Sequence, residues 1–183
     1  MKPETTISEE TIYKGKVIDL NLRQARLVDG QTVSREIVVN KGAVVIVPLT
    51  QDNEVRLVKQ YRAAAEDWII ELPAGTLEPD EDPDLAAPRE LLEETGDQAG
   101  AWQKLDGFYS APGVFTEFLH LYLATELTPG PNQLEFDEHI EVITVPWTEA
   151  VAMIKRHEIQ DGKTIAGLML AGLELGLLSD AIK

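Results

Sequence analysis

Apolar and polar residues alternate along most of the chain in short segments, a pattern that predicts β-strands. The run 43–49 is almost entirely apolar, which is typical of a strand buried on both faces. Asp29-Gly30 is a hairpin turn signal between two of the segments. The predicted strands are 12–17, 22–28, 33–39, 43–49, 55–61, 68–72, 102–110, 117–124 and 140–145.

Three segments have helical spacing instead. Apolar residues predict helices over 85–95 and 163–178, and Thr148 is expected to cap a helix that runs to about Arg156. Strands mixed with helices predict an α+β fold or a layered α/β/α sandwich with a mixed sheet. We expect residues 1–40 to form an N-terminal antiparallel β meander and residues 41–183 to form the main domain.

The helix predicted over 85–95 carries three glutamates. Glu90, Glu93 and Glu94 stand at i, i+3 and i+4, which places their carboxylates on one face. Like charges at this spacing oppose each other, so the cluster is either a solvated acidic face or a site for a hard cation such as Mg²⁺. Gly96 fits the position just past the helix, where a left-handed residue ends it.

The composition and net charge of the chain exclude several classes of partner and site. The chain has 183 residues, no cysteine and a formal net charge of −16. Such a charge argues against nucleic acid and membrane surfaces as partners, since both are anionic. The lack of cysteine excludes a disulfide framework, a thiol nucleophile and a zinc–thiolate site. The acidic N-terminus has no apolar signal segment, so a cytoplasmic location is expected.

The glutamates belong to a longer pattern. Gly75 is followed by Glu81 after five residues and by Arg89-Glu90 after seven more, and Glu93-Glu94 and Gly96 follow at fixed spacings. This arrangement resembles the Nudix box, Gly-x5-Glu-x7-Arg-Glu-U-x-Glu-Glu-x-Gly-U, in which U is apolar. The resemblance implies the Nudix fold and hydrolysis of a nucleoside diphosphate linked to another group.

Two residues depart from what the box and its helix require. Asp97 replaces the final apolar residue of the pattern. Pro88 lacks an N–H and crowds the carbonyl four residues back, so we expect it near the first turn or at a kink. Arg89 stands four residues before Glu93 and can pair with it.

The resemblance also implies the metal ligands. Glu90 and Glu94 are the leading candidates, Glu93 is third, and the backbone carbonyl of Ala74 is a further ligand. Mg²⁺ is the expected ion and Mn²⁺ the alternative. Glu81 matches the box and is interpreted as a supporting residue.

Segments outside the box are similar to the ADP-ribose pyrophosphatase branch of the family. The similar segments are Val-Lys-Gln-Tyr-Arg (58–62), Glu-Leu-Pro-Ala-Gly (71–75), Ser-Ala-Pro-Gly (110–113), Thr-Glu (116–117) and Asp-Glu-His-Ile-Glu (137–141). This resemblance implies Mg²⁺-dependent cleavage of the pyrophosphate of ADP-ribose to AMP and ribose 5-phosphate. It also implies a homodimer in which the N-terminal strands reach the partner subunit.

The resemblance further implies substrate contacts and a catalytic base. Arg35 and Arg62 are expected to bind the phosphates, because arginine supplies paired donors. Pro112 and Glu117 are expected in the substrate loop. The base is predicted to be Glu138, with Glu135 second and Glu93 as the alternative.

The sequence is also compatible with other functions. The same chemistry could act on another nucleoside diphosphate sugar or on a dinucleotide. A non-catalytic ADP-ribose-binding sensor would keep the fold but have no hydrolytic activity. The intact Glu90, Glu93 and Glu94 favour an enzyme instead. If the chain were a purely structural acidic domain, the match of residues 75–96 to the box pattern would be a coincidence.

Overall fold

The computed structural model describes residues 3–134 and 139–178, which divide into two compact units. The first unit combines the described part of Met1–Gly42 with Tyr109–Phe118. The second combines Ala43–Phe108 with the described part of Leu119–Lys183.

The first unit is built on three strands, β1 (Glu4–Lys14), β2 (Asp19–Leu27) and β3 (Thr32–Val39). They pair antiparallel in the order β1-β2-β3, so the predicted N-terminal meander is confirmed. The bounds predicted for its first strand, 12–17, were wrong. The strand is formed by a polar stretch whose side chains are mostly exposed, and such a stretch carries no apolar alternation.

The second unit contains two sheets. Four strands form one sheet in the order β7-β4-β9-β8, and three form another in the order β10-β5-β6. Strand β4 pairs antiparallel with β7 and parallel with β9, so the first of these sheets is mixed, as predicted. The strands are β4 (Ala43–Pro48), β5 (Glu54–Arg62), β6 (Asp67–Glu71), β7 (Ala74–Thr76), β8 (Gln98–Tyr109), β9 (Phe118–Thr128) and β10 (Ile140–Pro146).

Helices cover both faces of β4, which is buried along its whole length. Val45 and Val47 belong to an apolar cluster with Leu168 of α3 (Gly162–Leu175), which also includes residues of α2 (Trp147–Lys155). Val44 and Ile46 belong to a second cluster with Leu91 of α1 (Pro83–Thr95). Because alternate strand residues face opposite sides, β4 separates two helical layers. The predicted α+β fold, with helical layers on both faces of a mixed sheet, is confirmed.

The helices differ from the prediction in three places. Thr148 does not cap α2, because β10 runs directly into the helix at Trp147, whose N–H donates to the carbonyl of Asn53 at 2.9 Å. Helix α3 begins at Gly162 and is capped by Asp161. Helix α1 continues through Pro88, which lies in its second turn. Within the described ranges, no helix is long and apolar enough to cross a membrane.

Candidate functional site

Helix α1 has defined ends that set the direction of its side chains. The carboxylate of Asp82 accepts a hydrogen bond from the N–H of Asp84 at 3.0 Å, and Pro83 occupies the first turn. At the other end, Gly96 has a φ of 78° and donates its N–H to the carbonyl of Leu92 at 2.9 Å. Between these ends Leu91 is fully buried. The glutamates therefore lie along the border of the face that packs on the core, and Glu94 is itself buried.

The glutamates border a pocket of about 350 Å³. Its lining includes the three predicted metal-binding glutamates, Glu90, Glu93 and Glu94, together with Ala74 and Arg62. The structure thus brings together four predicted metal-binding residues and one predicted substrate arginine. A pocket that combines several carboxylates with an arginine can hold a cation and an anionic group side by side.

Gly75 allows Glu90 to come close to the backbone of β7. A Cβ atom added at Gly75 would lie 1.9 Å from Cδ of Glu90 and 2.0 Å from its Oε1. Any larger residue at this position must displace the Glu90 carboxylate. The glycine that begins the box pattern is therefore required by the space that Glu90 occupies.

Replacement of Gly75 by alanine is expected to lower kcat about tenfold or more with little change in the thermal midpoint. The flexible end of Glu90 can move, which spares the fold but misplaces a carboxylate of the pocket. Gly100→Ala is the matched control, since its Cβ would lie 2.7 Å from Oε2 of Glu126, a glutamate outside the pocket lining. Equal kcat values for the two variants would contradict a role for the position of Glu90.

Glu94 is the most buried of the three glutamates, with 4% of its surface exposed. Its Oε2 accepts a hydrogen bond from the N–H of Ala74 at 3.1 Å. This contact ties the helix to the start of β7 and sets the orientation of the peptide group before Ala74. The carboxylate is consequently held in one place at the pocket wall.

Arg89 contacts three other residues of the box. It donates to Glu81 through Nε at 3.0 Å and through Nη2 at 2.9 Å. Its Nη1 donates to Glu90 Oε1 at 2.8 Å and to Glu93 Oε2 at 2.9 Å, so the expected pair with Glu93 is present. Glu81 raises the pKa of Arg89, and Arg89 in turn lowers the pKa of Glu81. Glu81 therefore supports Arg89, and Arg89 orients two of the candidate ligands.

Arg62 is held by Glu71. In the sequence, Glu71 was identified only as part of the segment 71–75, without a role of its own. The guanidinium donates to Glu71 through Nε at 2.7 Å and through Nη2 at 2.6 Å. The hydrogen bonding of Arg62 to the Glu71 carboxylate is the main reason that the pKa of Arg62 is raised. Lys163 at the start of α3 also contacts Glu71. In the sequence, Lys163 was identified only as the first residue of the helix predicted over 163–178.

Asp97, which departs from the box pattern, forms an ion pair with an arginine of another element. Asp97 is 2% exposed, and its Oδ2 lies 3.0 Å from Nε of Arg56 in β5. Among the described residues, neither atom makes a directed hydrogen bond, so their attraction is that of an ion pair. Arg56 also donates to Oγ1 of Thr144 at 2.7 Å. The carboxylate that replaces an apolar residue is thus neutralised by an arginine from another element.

The remaining predicted residues lie elsewhere. Arg35, Pro112 and Glu117 belong to the first unit and are not in the lining of this pocket. Nη2 of Arg35 lies 3.0 Å from Oε2 of Glu4, across the meander. The loop with Pro112 and Glu117 is attached to the end of β3, and Oγ1 of Thr116 accepts the N–H of Asn40 at 2.9 Å. Two of the predicted bases, Glu135 and Glu138, fall outside the described residues.

The pocket fits a hard divalent cation by the chemistry of its donors. Its lining contains the carboxylates of Glu90, Glu93 and Glu94 and also includes Ala74, and such an ion takes oxygen ligands. The space that Gly75 leaves for Glu90 would be lost with any other residue. Within residues 3–134 and 139–178, no three acidic or histidine side chains converge as a completed metal site. Arg89 instead contacts oxygens of Glu90 and Glu93.

Comparison with known proteins identifies the family. A model of the NUDIX domain matches residues 39–168. The chain belongs to the Nudix family. The box resemblance seen in the sequence is thereby confirmed, and the pocket described above is formed around the Nudix box.

Curated relatives of the chain carry several names. An ADP-ribose pyrophosphatase of Bacillus subtilis is 39% identical over 95% of both chains. A methanol dehydrogenase activator of Bacillus methanolicus has the same identity and coverage. A GDP-mannose pyrophosphatase of Escherichia coli K12 is 36% identical over 76% of both chains.

A solved structure confirms the Nudix fold. It is described as the crystal structure of an ADP compounds hydrolase and aligns with a TM-score of 0.86 over 96% of both chains. The two sequences are 22% identical, so this likeness concerns the fold alone.

Proposed function

We propose that the protein hydrolyses the pyrophosphate of ADP-ribose to AMP and ribose 5-phosphate in a Mg²⁺-dependent reaction. The observation that carries this proposal is the pocket that joins Glu90, Glu93 and Glu94 to Arg62. The Bacillus subtilis relative named ADP-ribose pyrophosphatase supports the choice of substrate. The high negative charge of the chain makes such a local arrangement necessary for an anionic substrate.

Each residue of the pocket has a role in this proposal. Glu90 and Glu94 would hold the divalent cation with the carbonyl of Ala74, and Glu93 would be a further ligand. When bound, Mg²⁺ or Mn²⁺ supplies charge neutralisation for the phosphoryl oxygens and a more acidic water. Arg62 would bind a phosphate oxygen through a charge-assisted hydrogen bond.

The proton from the attacking water needs an acceptor. We propose Glu138 as this base, with Glu135 second and Glu93 as the alternative within the box. Glu93 lines the pocket, and its Oε2 lies 2.9 Å from Nη1 of Arg89. Because Arg89 already occupies this oxygen of Glu93, we propose Glu138 and Glu135 ahead of it.

The first unit supplies the other proposed substrate contacts, Arg35, Pro112 and Glu117. The hydrogen bonds between Asn40 and Thr116 hold the loop that carries the last two. We propose that this loop contacts the ribose or phosphate end of the substrate.

The division into an N-terminal segment of residues 1–40 and a hydrolase domain of residues 41–183 stays a proposal, as does the cytoplasmic location.

A second candidate is the same reaction on another nucleoside diphosphate sugar. The relative named GDP-mannose pyrophosphatase favours it, since it shares 76% of its length with this chain. A panel of ADP-ribose, GDP-mannose, other nucleoside diphosphate sugars and dinucleotides, incubated with Mg²⁺ and analysed for products, separates the two. We expect the highest kcat/KM for ADP-ribose. Tight ADP-ribose binding without turnover of any compound would instead identify a sensor.

We also propose that the protein is a homodimer formed through its N-terminal meander. Strand β1 exposes apolar side chains on this unit, with Ile7 48%, Ile12 52% and Tyr13 58% exposed. Burial of these side chains against a second copy would remove apolar area from water. Size-exclusion chromatography with light scattering should give a mass near twice 20.2 kDa. A monomer at working concentration would contradict the proposal.

A further inference from the structure

Lys163 lies in the first turn of α3, where its ammonium group contacts two carboxylates. It donates hydrogen bonds to Oε2 of Glu71 and, at 3.0 Å, to Oδ2 of Asp161. Only 16% of the side chain is exposed. Asp161 also accepts the N–H of Thr164 at 2.9 Å and thereby caps the helix. The position of the ammonium group is therefore set by the beginning of α3.

Glu71 links this ammonium group to Arg62. Its carboxylate is 2% exposed, and Oε2 accepts hydrogen bonds from both Lys163 and Nη2 of Arg62. Burial opposes the charge of Glu71, but the hydrogen bond from Arg62 and the charge of Lys163 outweigh it and hold the pKa of Glu71 below its ordinary value. Glu71 thus stays ionised at neutral pH and is held from two sides.

The register of β5 and β6 shows how the guanidinium reaches Glu71. Arg62 is paired with Asp67, whereas Glu71 is paired with Val58, four residues away along β5. Because alternate residues share a face, the side chains of Arg62 and Glu71 lie on the same side of the two strands. Arg62 must extend back along β5 to make its two hydrogen bonds. Glu71 engages Nε and Nη2 of the guanidinium.

We propose that Lys163 is a positioning residue, which through Glu71 fixes the guanidinium of Arg62 for a phosphate group of the nucleoside diphosphate. This inference rests on the proposed function and extends it to a residue of α3. Two cations, Lys163 and Arg62, balance two carboxylates, Glu71 and Asp161. Loss of Lys163 would leave a net negative charge beside a pocket that already contains three glutamates, and anion binding would weaken.

Substitution of Lys163 tests the proposal. Lys163→Met removes the charge but keeps an unbranched stem, and Lys163→Arg restores a cation. We expect KM for ADP-ribose to rise about tenfold in the methionine variant with kcat within about threefold of the wild type, and we expect the arginine variant to recover most of the loss. Lys104→Met is the matched control, since Lys104 pairs with Asp84 at 2.9 Å outside the pocket and its loss should leave KM unchanged.

A purely structural role for Lys163 gives a different result. If Lys163 only ties α3 to β6, Lys163→Met lowers the thermal midpoint but keeps the wild-type KM and kcat at temperatures where the protein is folded. That result would overturn the proposal. Equal KM values for Lys163→Met and the Lys104→Met control would also overturn the proposal.

A measurement without turnover separates this inference from the proposed function. Exchange of the Nε–H of Arg62 with water can be followed by NMR in metal-free protein labelled with ¹⁵N-arginine, with Arg62→Lys to assign the signal. We expect exchange about tenfold faster in Lys163→Met, because Glu71 no longer holds the guanidinium firmly. Unchanged exchange would overturn the inference. Wild-type protein that hydrolyses no nucleoside diphosphate would contradict the proposed function, while the exchange rates would still decide whether Lys163 fixes Arg62.

Discussion

Replacement of Glu94 by glutamine is expected to lower kcat at least about a hundredfold while the thermal midpoint stays nearly constant. Glu94 is 4% exposed, and its Oε2 accepts the N–H of Ala74 at 3.1 Å. The amide oxygen of glutamine can still accept this hydrogen bond, so the helix and β7 keep their contact. The negative charge that would bind a divalent cation is lost. Steady-state kinetics with ADP-ribose and Mg²⁺, together with calorimetry, measure the two quantities separately.

Glu174→Gln provides the comparison for this variant. Glu174 lies on α3 outside the pocket lining and accepts a hydrogen bond from Nε2 of Gln103 at 2.9 Å. Its replacement should leave kcat at the wild-type value. A near-normal kcat for Glu94→Gln would remove Glu94 from the site and, with it, the proposed cation position.

Replacement of Gly96 by alanine is expected to destabilise the fold by about 3 kcal/mol. Gly96 has a φ of 78°, which costs a residue with a Cβ atom about 1 kcal/mol. A Cβ atom would also lie 2.1 Å from the carbonyl oxygen of Gly130 and 2.7 Å from the nitrogen of Asn132. These are backbone atoms, so a segment of the following loop must move. Urea denaturation at equilibrium gives the free energy of unfolding.

Gly176→Ala separates the two causes of this loss. Gly176 ends α3 with a φ of 69°, but in the described part of the chain no atom lies within 4 Å of a Cβ built there. This variant has the backbone strain without the collision and should lose about 1 kcal/mol. If both variants lose the same free energy, the close approach of the loop to Gly96 has no energetic consequence.

Much of the candidate site could be predicted because its residues belong to one helix. The 3.6-residue period places Glu90, Glu93 and Glu94 on one face whatever else the chain does. The pair between Arg89 and Glu93 has the same local origin. The continuous apolar run of β4 likewise indicated burial on both faces, and both helical layers pack on it.

Other features depended on residues far apart in the chain. The first strand was predicted with the wrong bounds, because β1 forms by pairing with β2 and not through an apolar pattern of its own. Asp97 departs from the box pattern, and its partner Arg56 belongs to β5, which the spacing around Asp97 does not indicate. The contact between Lys163 and Glu71 joins residues 92 positions apart.

The sequence by itself therefore determined the box pattern of the family and the acidic face of α1, since both follow from spacing within a short segment. It also determined the fold class, which follows from the order of strand and helix patterns along the chain. Tertiary structure alone decided the ion pairs between distant segments: Arg56 beside Asp97, and Lys163 beside Glu71. The physical reason is that helical spacing sets where neighbouring side chains point. Contacts between distant segments depend instead on strand register and helix packing, which no short stretch of sequence encodes.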